Sequence, residues 1–239
     1  QHLQGGIVRE VRVQEGSQVR EGDVLMVLEQ AATRAGFESI RQHYLGLRSA
    51  ESRLLAEQAG ASAVVFHADI LAQQADPLVR QHVDTQLQLF RSRRLSLQAS
   101  LAALNESRAG LQEQRQGLLQ VIAERQRQLA LLEEELEGLR ELVREGYAPR
   151  NRQLELERNR AEVRSVLADA GASRLRVERQ MEEAAQRMQM VQQDYRKEVD
   201  AQLAEIRREV QADAEKLKAA TQDLARTEQA TGDMQSRFG

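Results

Sequence analysis

Residues that could carry out chemistry occur along this 239-residue chain, but they do not form a recognised catalytic or metal-binding pattern. The histidines are His2, His43, His67 and His82. Their separation does not match the spacing of metal ligands, and the chain has no cysteine. A glycine-rich phosphate loop, an HExxH motif and a nucleophile elbow are also missing. We therefore predict that the chain is not an enzyme and that it binds neither a metal nor a cofactor.

Carboxylates are numerous, and the densest run is Glu133, Glu134 and Glu135. This run lies in a strong helical pattern, and a long exposed helix lacks the concave, water-excluding pocket that acid-base catalysis requires. We interpret the run as a solvated helix face rather than a specific docking patch.

The composition favours long helices over a large globular core. Apolar residues make up 41% of the chain but aromatic residues only 3%, and the only prolines are Pro77 and Pro149. The 34 basic and 37 acidic side chains are interleaved, which argues against a nucleic-acid-binding surface. Neither a signal peptide nor an apolar run of about eighteen residues is present, so we expect any membrane anchor to lie outside this sequence.

Residues 1–29 have the pattern of short β-strands separated by turns. Runs rich in β-branched residues flank Gly16 and Gly22, and these glycines suit turns that need a positive φ. The pattern predicts strand, turn, strand, turn and strand.

After this segment, apolar residues recur with helical spacing and predict a first helix over about 30–59. The pattern degrades over 60–76, which we interpret as a linker. Asp76 followed by Pro77 resembles an N-cap with proline at the first helical position. A second helix is therefore predicted over 77–146.

The second helix carries a heptad repeat. Core positions alternate at spacings of three and four from Val83 to Val143, over about eight heptads, which predicts a left-handed coiled coil. The repeat stops at a predicted tip, residues 147–149. Gly146 suits a left-handed C-terminal cap, and Pro149 suits the opening of the next helix.

The return helix is predicted over 150–238. Two successive four-residue steps, from Tyr195 to Val199 to Leu203, form a stutter that should unwind the supercoil locally. The predicted fold is mainly α, a long antiparallel coiled-coil hairpin of three helices, two outbound and one return. The return helix spans roughly 130 Å and the two earlier helices together supply a similar length, so we favour stacking them end to end. Packing of the first helix alongside the others stays open.

Arginines occupy several core positions of the repeat, namely Arg94, Arg108, Arg115 and Arg125. A buried, unpaired charge would cost several kcal/mol, so we expect these side chains to extend to solvent or to pair with glutamates of the facing helix. A role in setting the register, or contact with neighbouring protomers, is the alternative.

The valine and glycine pattern of residues 6–28 resembles the first half of a biotinyl-lipoyl domain. The modified lysine of such carriers has no counterpart, because the first lysine is Lys197. A lipoyl half-motif followed by a long helical hairpin resembles the membrane fusion proteins. Within the hairpin, residues 142–158 are similar to the tip of the HlyD, AprE, PrtE and LipC group.

This resemblance implies a periplasmic adaptor of type I protein secretion, anchored in the inner membrane through a segment outside this sequence. Its partners would be an inner-membrane ABC transporter, a TolC-like outer-membrane channel, a secreted protein cargo and further copies of itself, as a hexamer. The second lipoyl half and a β-barrel are expected elsewhere in the full-length protein. The resemblance assigns channel docking to Leu142, Tyr147, Ala148, Pro149, Arg150 and Asn151. Without it, the tip would be interpreted only as a loop that reverses the helix.

Three other functions would explain parts of the sequence pattern. A drug-efflux adaptor shares the architecture, but its tip series of Arg, Leu and Ser corresponds here to Glu135, Leu142 and Pro149, so only the leucine agrees. A self-associating structural coiled coil explains the heptads but not the β start. A lipoyl or biotin carrier requires a lysine near residue 30, and none is present.

Overall fold

The computed structural model describes the backbone of residues 8–11, 13, 17–18, 26–28 and 30–237. Its elements are β1 (Val8–Val11), β2 (Met26–Leu28), α1 (Gln30–Gln58), α2 (Ala68–Leu71), α3 (Pro77–Arg144) and α4 (Arg150–Arg237). The prediction of a mainly helical chain with a long helical hairpin is confirmed.

The two short strands pair in the antiparallel sense, with Val8 opposite Leu28 and Val11 opposite Met26. The turns predicted at the two glycines between the strands lie outside the described residues. The lipoyl-like half-domain over 1–29 therefore stays a prediction.

The chain divides into two compact units. The three-helix unit comprises Gln1–Arg94 and Arg196–Gly239, and the hairpin unit comprises Leu95–Tyr195. Both long helices contribute to each unit.

In the three-helix unit, α1 packs against the beginning of α3 and the end of α4. The buried side chains of the core are Tyr44, Leu45, Leu47, Ile70, Val79 and Val210. These residues come from α1, α2, α3 and α4, so the apolar face of α1 is covered by the other helices of the unit.

Contacts between α1 and α3 advance in the same direction along both helices. The guanidinium of Arg41 donates to Asp76 at 2.8 Å, and that of Arg53 donates to Gln86 at 2.7 Å. The two helices therefore run parallel and side by side. The end-to-end stacking that we favoured from length is wrong, and the alternative that the sequence left open is correct.

Contacts between α1 and α4 run in opposite directions. Gln58, at the end of α1, donates to Asp200 at 2.7 Å, whereas His43, nearer its beginning, contacts Asp213. Helix α4 is thus antiparallel to α1. This direction agrees with the prediction of two outbound helices and one return helix.

The linker over 60–76 contains the short helix α2, which the sequence pattern did not predict. Gly60 ends the preceding turn with φ +63°, and the N–H of Ala61 donates to the carbonyl oxygen of Ala56 at 2.9 Å. Ile70 of α2 is fully buried. The linker therefore folds onto the unit through an apolar anchor.

In the hairpin unit, the predicted heptad positions of α4 are buried or half-buried, whereas most of those on α3 are half-buried and Arg108 is exposed. Leu136 is 1% exposed, and the facing positions of α4 are buried at every seventh residue: Leu156, Val163, Ala170, Val177 and Ala184. A seven-residue period is typical of a left-handed coiled coil.

Burial along α4 changes its spacing at the predicted stutter. Tyr195 is half-buried, and Val199 and Leu203 are buried. These three residues are separated by four positions each, where a heptad repeat would alternate steps of three and four. The apolar stripe therefore follows the predicted four-residue steps.

For the arginines at core positions of the repeat, only one of the two expected arrangements, extension to solvent, is observed. Arg94 is exposed and donates to the carbonyl oxygen of Ser62 at 3.0 Å, and Arg125 donates to Gln128 at 2.7 Å. Arg108 is exposed, which agrees with extension to solvent. Arg115 is half-buried, and its Nε has no hydrogen-bond partner in the protein. In the described structure none of the four arginines forms an ion pair, so the expected alternative of pairing with glutamates of the facing helix is wrong.

Candidate docking surface at the hairpin tip

The turn between α3 and α4 is held by backbone hydrogen bonds. The N–H of Gly146 donates to the carbonyl oxygen of Val143 at 3.2 Å, and the N–H of Tyr147 donates to that of Leu142 at 2.9 Å. Gly146 has φ +82°, the left-handed conformation that glycine adopts without steric cost. Together these features form a Schellman cap, which confirms the role predicted for Gly146.

Helix α4 begins at Arg150, the residue at which the return helix was predicted to start. Pro149 lies in the capping position before it, where its carbonyl oxygen accepts the N–H of Arg152 at 3.1 Å. Proline suits this place because it has no N–H that would need a partner.

The residues predicted to dock lie together at this turn. The side chain of Tyr147 is 80% exposed, and that of Leu142 is 46% exposed. Pro149, Arg150 and Asn151 are also exposed, whereas Ala148 is half-buried. The tip thus presents apolar and polar side chains on short, well-anchored backbone, while Ala148 contributes partly to packing.

Two ion pairs join α3 to α4 near the tip. Arg140 donates to Glu157 at 2.9 Å, and Arg152 lies 3.9 Å from Glu135. The hydrogen bonds from Arg140 and Gln153 lower the pKa of Glu157 below its ordinary range. These exposed ion pairs link the two helices of the hairpin close to the turn and add modestly to its packing.

These four paired residues were not among the predicted site residues. Their signal is nonetheless in the sequence, because they flank the core positions of a heptad repeat, where oppositely charged residues pair across coiled-coil helices. All three glutamates of the run at 133–135 are exposed. Glu135 lies near Arg152, whereas Glu133 and Glu134 have no described ion pair. The solvated-face interpretation agrees with this exposure.

The described histidines connect elements of the three-helix unit. His43 contacts Asp213, whose pKa is lowered by that contact and by Lys216. His67 caps α2 by accepting the N–H of Asp69 at 3.2 Å, and His82 lies against Gly46. Within the described residues no cluster of histidine and carboxylate side chains could hold a metal ion.

A cleft of about 440 Å³ lies in the same unit, next to Arg41, Tyr44 and Asp69. Four of its polar side chains are engaged in pairs: Tyr44 donates to Asp69 at 2.6 Å, and Arg41 donates to Gln73 at 3.1 Å. Such mutual hydrogen bonds leave little for a ligand to satisfy, so the tip is the stronger candidate for a functional surface.

Among the described helices, none combines the length and apolar character needed to cross a membrane.

A helical hairpin that ends in an anchored, exposed turn is the architecture that the sequence shares with membrane fusion proteins. The chain belongs to the family described as AprE, long alpha-helical hairpin, whose sequence profile matches residues 33–223.

The named relatives are secretion proteins. The chain is 34% identical to the alkaline protease secretion protein AprE of Pseudomonas aeruginosa, over 95% of this chain and 53% of that protein. It is 32% identical to the proteases secretion protein PrtE of Dickeya chrysanthemi, over 86% and 46%, and 29% identical to the type I secretion system membrane fusion protein PrsE of Rhizobium meliloti, over 95% and 52%. The chain therefore spans about half the length of the curated relatives that it matches.

One solved structure gives the same classification, and a second shares the fold. The soluble domain of LipC, a membrane fusion protein of a type I secretion system, superposes with a TM-score of 0.82 at 34% sequence identity, covering 92% of this chain and 83% of that one. The periplasmic adaptor EmrA shares the fold alone, with a TM-score of 0.50 at 17% identity, covering 92% and 58%.

Proposed function

We propose that this chain is the hairpin region of a periplasmic adaptor that joins an inner-membrane ABC transporter to a TolC-like outer-membrane channel for type I protein secretion. The full-length protein would be anchored in the inner membrane and would act as a hexamer on an unfolded protein cargo. Membership of the AprE family, together with the exposed tip, supports this function.

The tip is the part that we propose docks to the channel. Tyr147 is a largely exposed aromatic side chain, and aromatic residues contribute strongly to the centres of protein interfaces. Arg150 and Asn151 lie in the first turn of α4, so a helix positions them, and the Schellman cap positions Tyr147. Backbone that is already rigid does not have to be ordered on binding, which lowers the entropic cost of association.

Site-specific photocrosslinking tests this proposal. A photoreactive residue is placed at 147, 150 or 151 of the full-length protein, in cells that also produce the outer-membrane channel. Leu175 is a matched control, because it is an exposed apolar residue of the same unit within the body of α4. We expect crosslinks to the channel from the tip positions and none from position 175.

Crosslinks from the tip only to other copies of the chain would contradict channel docking and would favour a self-associating coiled coil. Drug efflux is the second candidate, because a drug-efflux adaptor would share this architecture and the leucine of its tip series is matched by Leu142. Deletion of the protein separates the two transport functions: loss of a secreted protein with unchanged drug tolerance supports secretion, and the reverse supports efflux.

A further inference from the structure

Each helix of the hairpin unit carries a second set of residues at alternating steps of three and four, on the side remote from the buried leucines Leu136 and Leu156. All of them are exposed. This spacing is that of a coiled-coil seam, although the two sets lie on opposite sides of the hairpin. The set on α3, which we call the α3 outer face, is Gly110, Glu113, Gly117, Gln120, Glu124, Arg127, Leu131, Glu134 and Gly138. The set on α4, the α4 outer face, is Leu154, Arg158, Ala161, Ser165, Ala168, Ala172, Leu175, Arg179 and Glu182.

Residues equally far in sequence from Gly146 lie at about the same height on α3 and α4. The two buried leucines are each ten residues from Gly146. The ion pairs that join the two helices are symmetric about it as well. Arg140 and Arg152 are each six residues away, and their partners Glu157 and Glu135 are each eleven residues away. This relation gives the height of every residue of the two outer faces.

At equal heights the two outer faces are complementary in size. The pairs of a large apolar residue with a small one are Leu154 with Gly138, Leu175 with Gly117, and Leu131 with Ala161. The three leucines are 44%, 52% and 68% exposed, respectively, so packing within the chain leaves much of each side chain in water.

The two glycines have no packing reason within the chain. A Cβ added at Gly117 or Gly138 would meet no atom within 4 Å. Glycine in the interior of a helix is destabilising relative to alanine. Close approach of a leucine from another molecule supplies the missing reason, because a side chain at either position would occupy its place.

The two outer faces are also complementary in charge. At equal heights, Glu134 lies level with Arg158 and Glu113 lies level with Arg179. All four side chains are exposed and have no described ion pair. Across the full length of both faces, equal height never brings two like charges together.

Matching at equal height identifies another copy of this chain as the partner. Copies that are related by rotation about one axis meet without axial displacement, so each height on one copy meets the same height on the next. A displacement by one heptad, about 10 Å, would instead set Arg127 against Arg158 and Leu131 against Leu154.

We propose that neighbouring copies join through a second antiparallel coiled-coil seam, in which the α3 outer face of one copy packs against the α4 outer face of the next without axial displacement. Because the two faces differ, the contact is head-to-tail, and such contacts close into a ring when the rotation allows it. This inference rests on the hexamer of the proposed function and adds to it the contact surface and its register.

Cysteine crosslinking in the full-length protein, in a background free of other cysteines, tests this seam. Gly117→Cys with Leu175→Cys places two cysteines at equal height. The matched control, Gly110→Cys with Leu175→Cys, displaces one of them by a heptad along the same face. A disulfide requires Cα atoms about 4.4–6.8 Å apart, which cannot span the hairpin itself, so it must join two copies.

On oxidation in cells, we expect a ladder of linked copies from the equal-height pair and none from the control. Leu131→Cys with Ala161→Cys is a second equal-height pair, for use if the first variant does not fold. Absence of linked copies from a folded equal-height pair, or equal linking in the control, would overturn the seam.

Charge reversal tests the same register independently. In the background of the first equal-height pair, Glu134→Arg should remove most of the linked product, because it sets two arginines at one height. Adding Arg158→Glu should restore it. Glu133→Arg, at an exposed neighbour outside the outer face, is the matched control and should leave the linked product unchanged. Unchanged linking in Glu134→Arg, or failure of Arg158→Glu to restore it, would refute the pairing.

The mass of the unoxidised assembly separates this inference from the proposed function. A hexamer that gives no disulfide at the equal-height pairs would overturn the seam and leave the hexamer in place. A monomer would overturn both. Crosslinks from position 147 to the channel test docking in either case.

Discussion

The backbone N–H of Tyr147 donates to the carbonyl oxygen of Leu142 at 2.9 Å, so one turn joins two residues of the proposed docking surface. The hydrogen bond belongs to the Schellman cap that ends α3. The exposure of the Tyr147 side chain is therefore a consequence of how the helix is terminated. A substitution in the cap should therefore change the positions of the exposed tip side chains, even though the tip residues themselves are not replaced.

Gly146→Ala is expected to destabilise the tip. A residue with a Cβ at φ +82° costs about 1–2 kcal/mol relative to glycine. Gly138→Ala is the control: it lies within α3 with open space around the added Cβ, and it should stabilise the helix by roughly 0.5–1 kcal/mol. Urea denaturation followed by circular dichroism measures both. Equal stability of Gly146→Ala and the parent would contradict the left-handed cap.

Ile70→Ala is expected to destabilise the three-helix unit by about 2–5 kcal/mol, because it removes a fully buried side chain and leaves a cavity. The neighbouring Leu71 is 51% exposed, so Leu71→Ala should change the free energy of unfolding by no more than about 0.5 kcal/mol. Comparing the two melting curves tests whether α2 anchors the linker. Similar effects of both substitutions would indicate that the linker does not pack through Ile70.

Features set by short sequence signals were predicted well. Asp76 before Pro77 indicated a helix start, and the structure has the carboxylate of Asp76 accepting the N–H of Leu78 at 2.9 Å. Gly146 indicated a helix end, and the spacing at Tyr195 indicated the stutter. Each of these depends on the conformation of a few consecutive residues, which local residue preferences determine.

Features that depend on distant residues were not predicted. The position of α1 is fixed by contacts such as that between Gln58 and Asp200, far apart in the chain, and helix length alone cannot show it. Glu57 pairs with Arg53 of its own helix, but its burial also depends on Arg93 of α3, which no local pattern around Glu57 predicts. The tip residues themselves were located correctly, but their contact with a channel stays a prediction.

Gly46→Val is expected to disturb the contact of α1 with α3. A Cβ at this position would lie 3.3 Å from Cε1 of His82, so a branched side chain requires the helices or the imidazole to move. Such overpacking costs roughly 1–3 kcal/mol. Gly36→Val on the same helix has open space and serves as the control. If steric conflict is the cause, His82→Ala should restore much of the stability lost in Gly46→Val when unfolding is measured in urea, and failure to do so would refute it.

Asp76 should make the stability of the three-helix unit depend on pH in the acid range. The hydrogen bond from the Leu78 N–H, with those from Gln42 and Arg41, lowers the pKa of Asp76 in the folded state. A lowered folded pKa means that the unfolded chain takes up the proton first. The stabilisation is therefore fully present above the ordinary aspartate pKa of about 3.9 and is lost as pH falls through the folded value.

Asp76→Asn retains a capping oxygen but cannot ionise, so its free energy of unfolding should fall less steeply with acid than that of the parent. The difference between the two proteins should be constant above about pH 5 and should shrink as pH falls below about 4. Urea titrations from neutral pH into acid measure this difference. Asp84→Asn is the control, because Asp84 is an exposed residue of α3 without a described hydrogen bond or ion pair. Parallel pH profiles for the parent and Asp76→Asn would show that the Asp76 carboxylate does not couple folding to protonation.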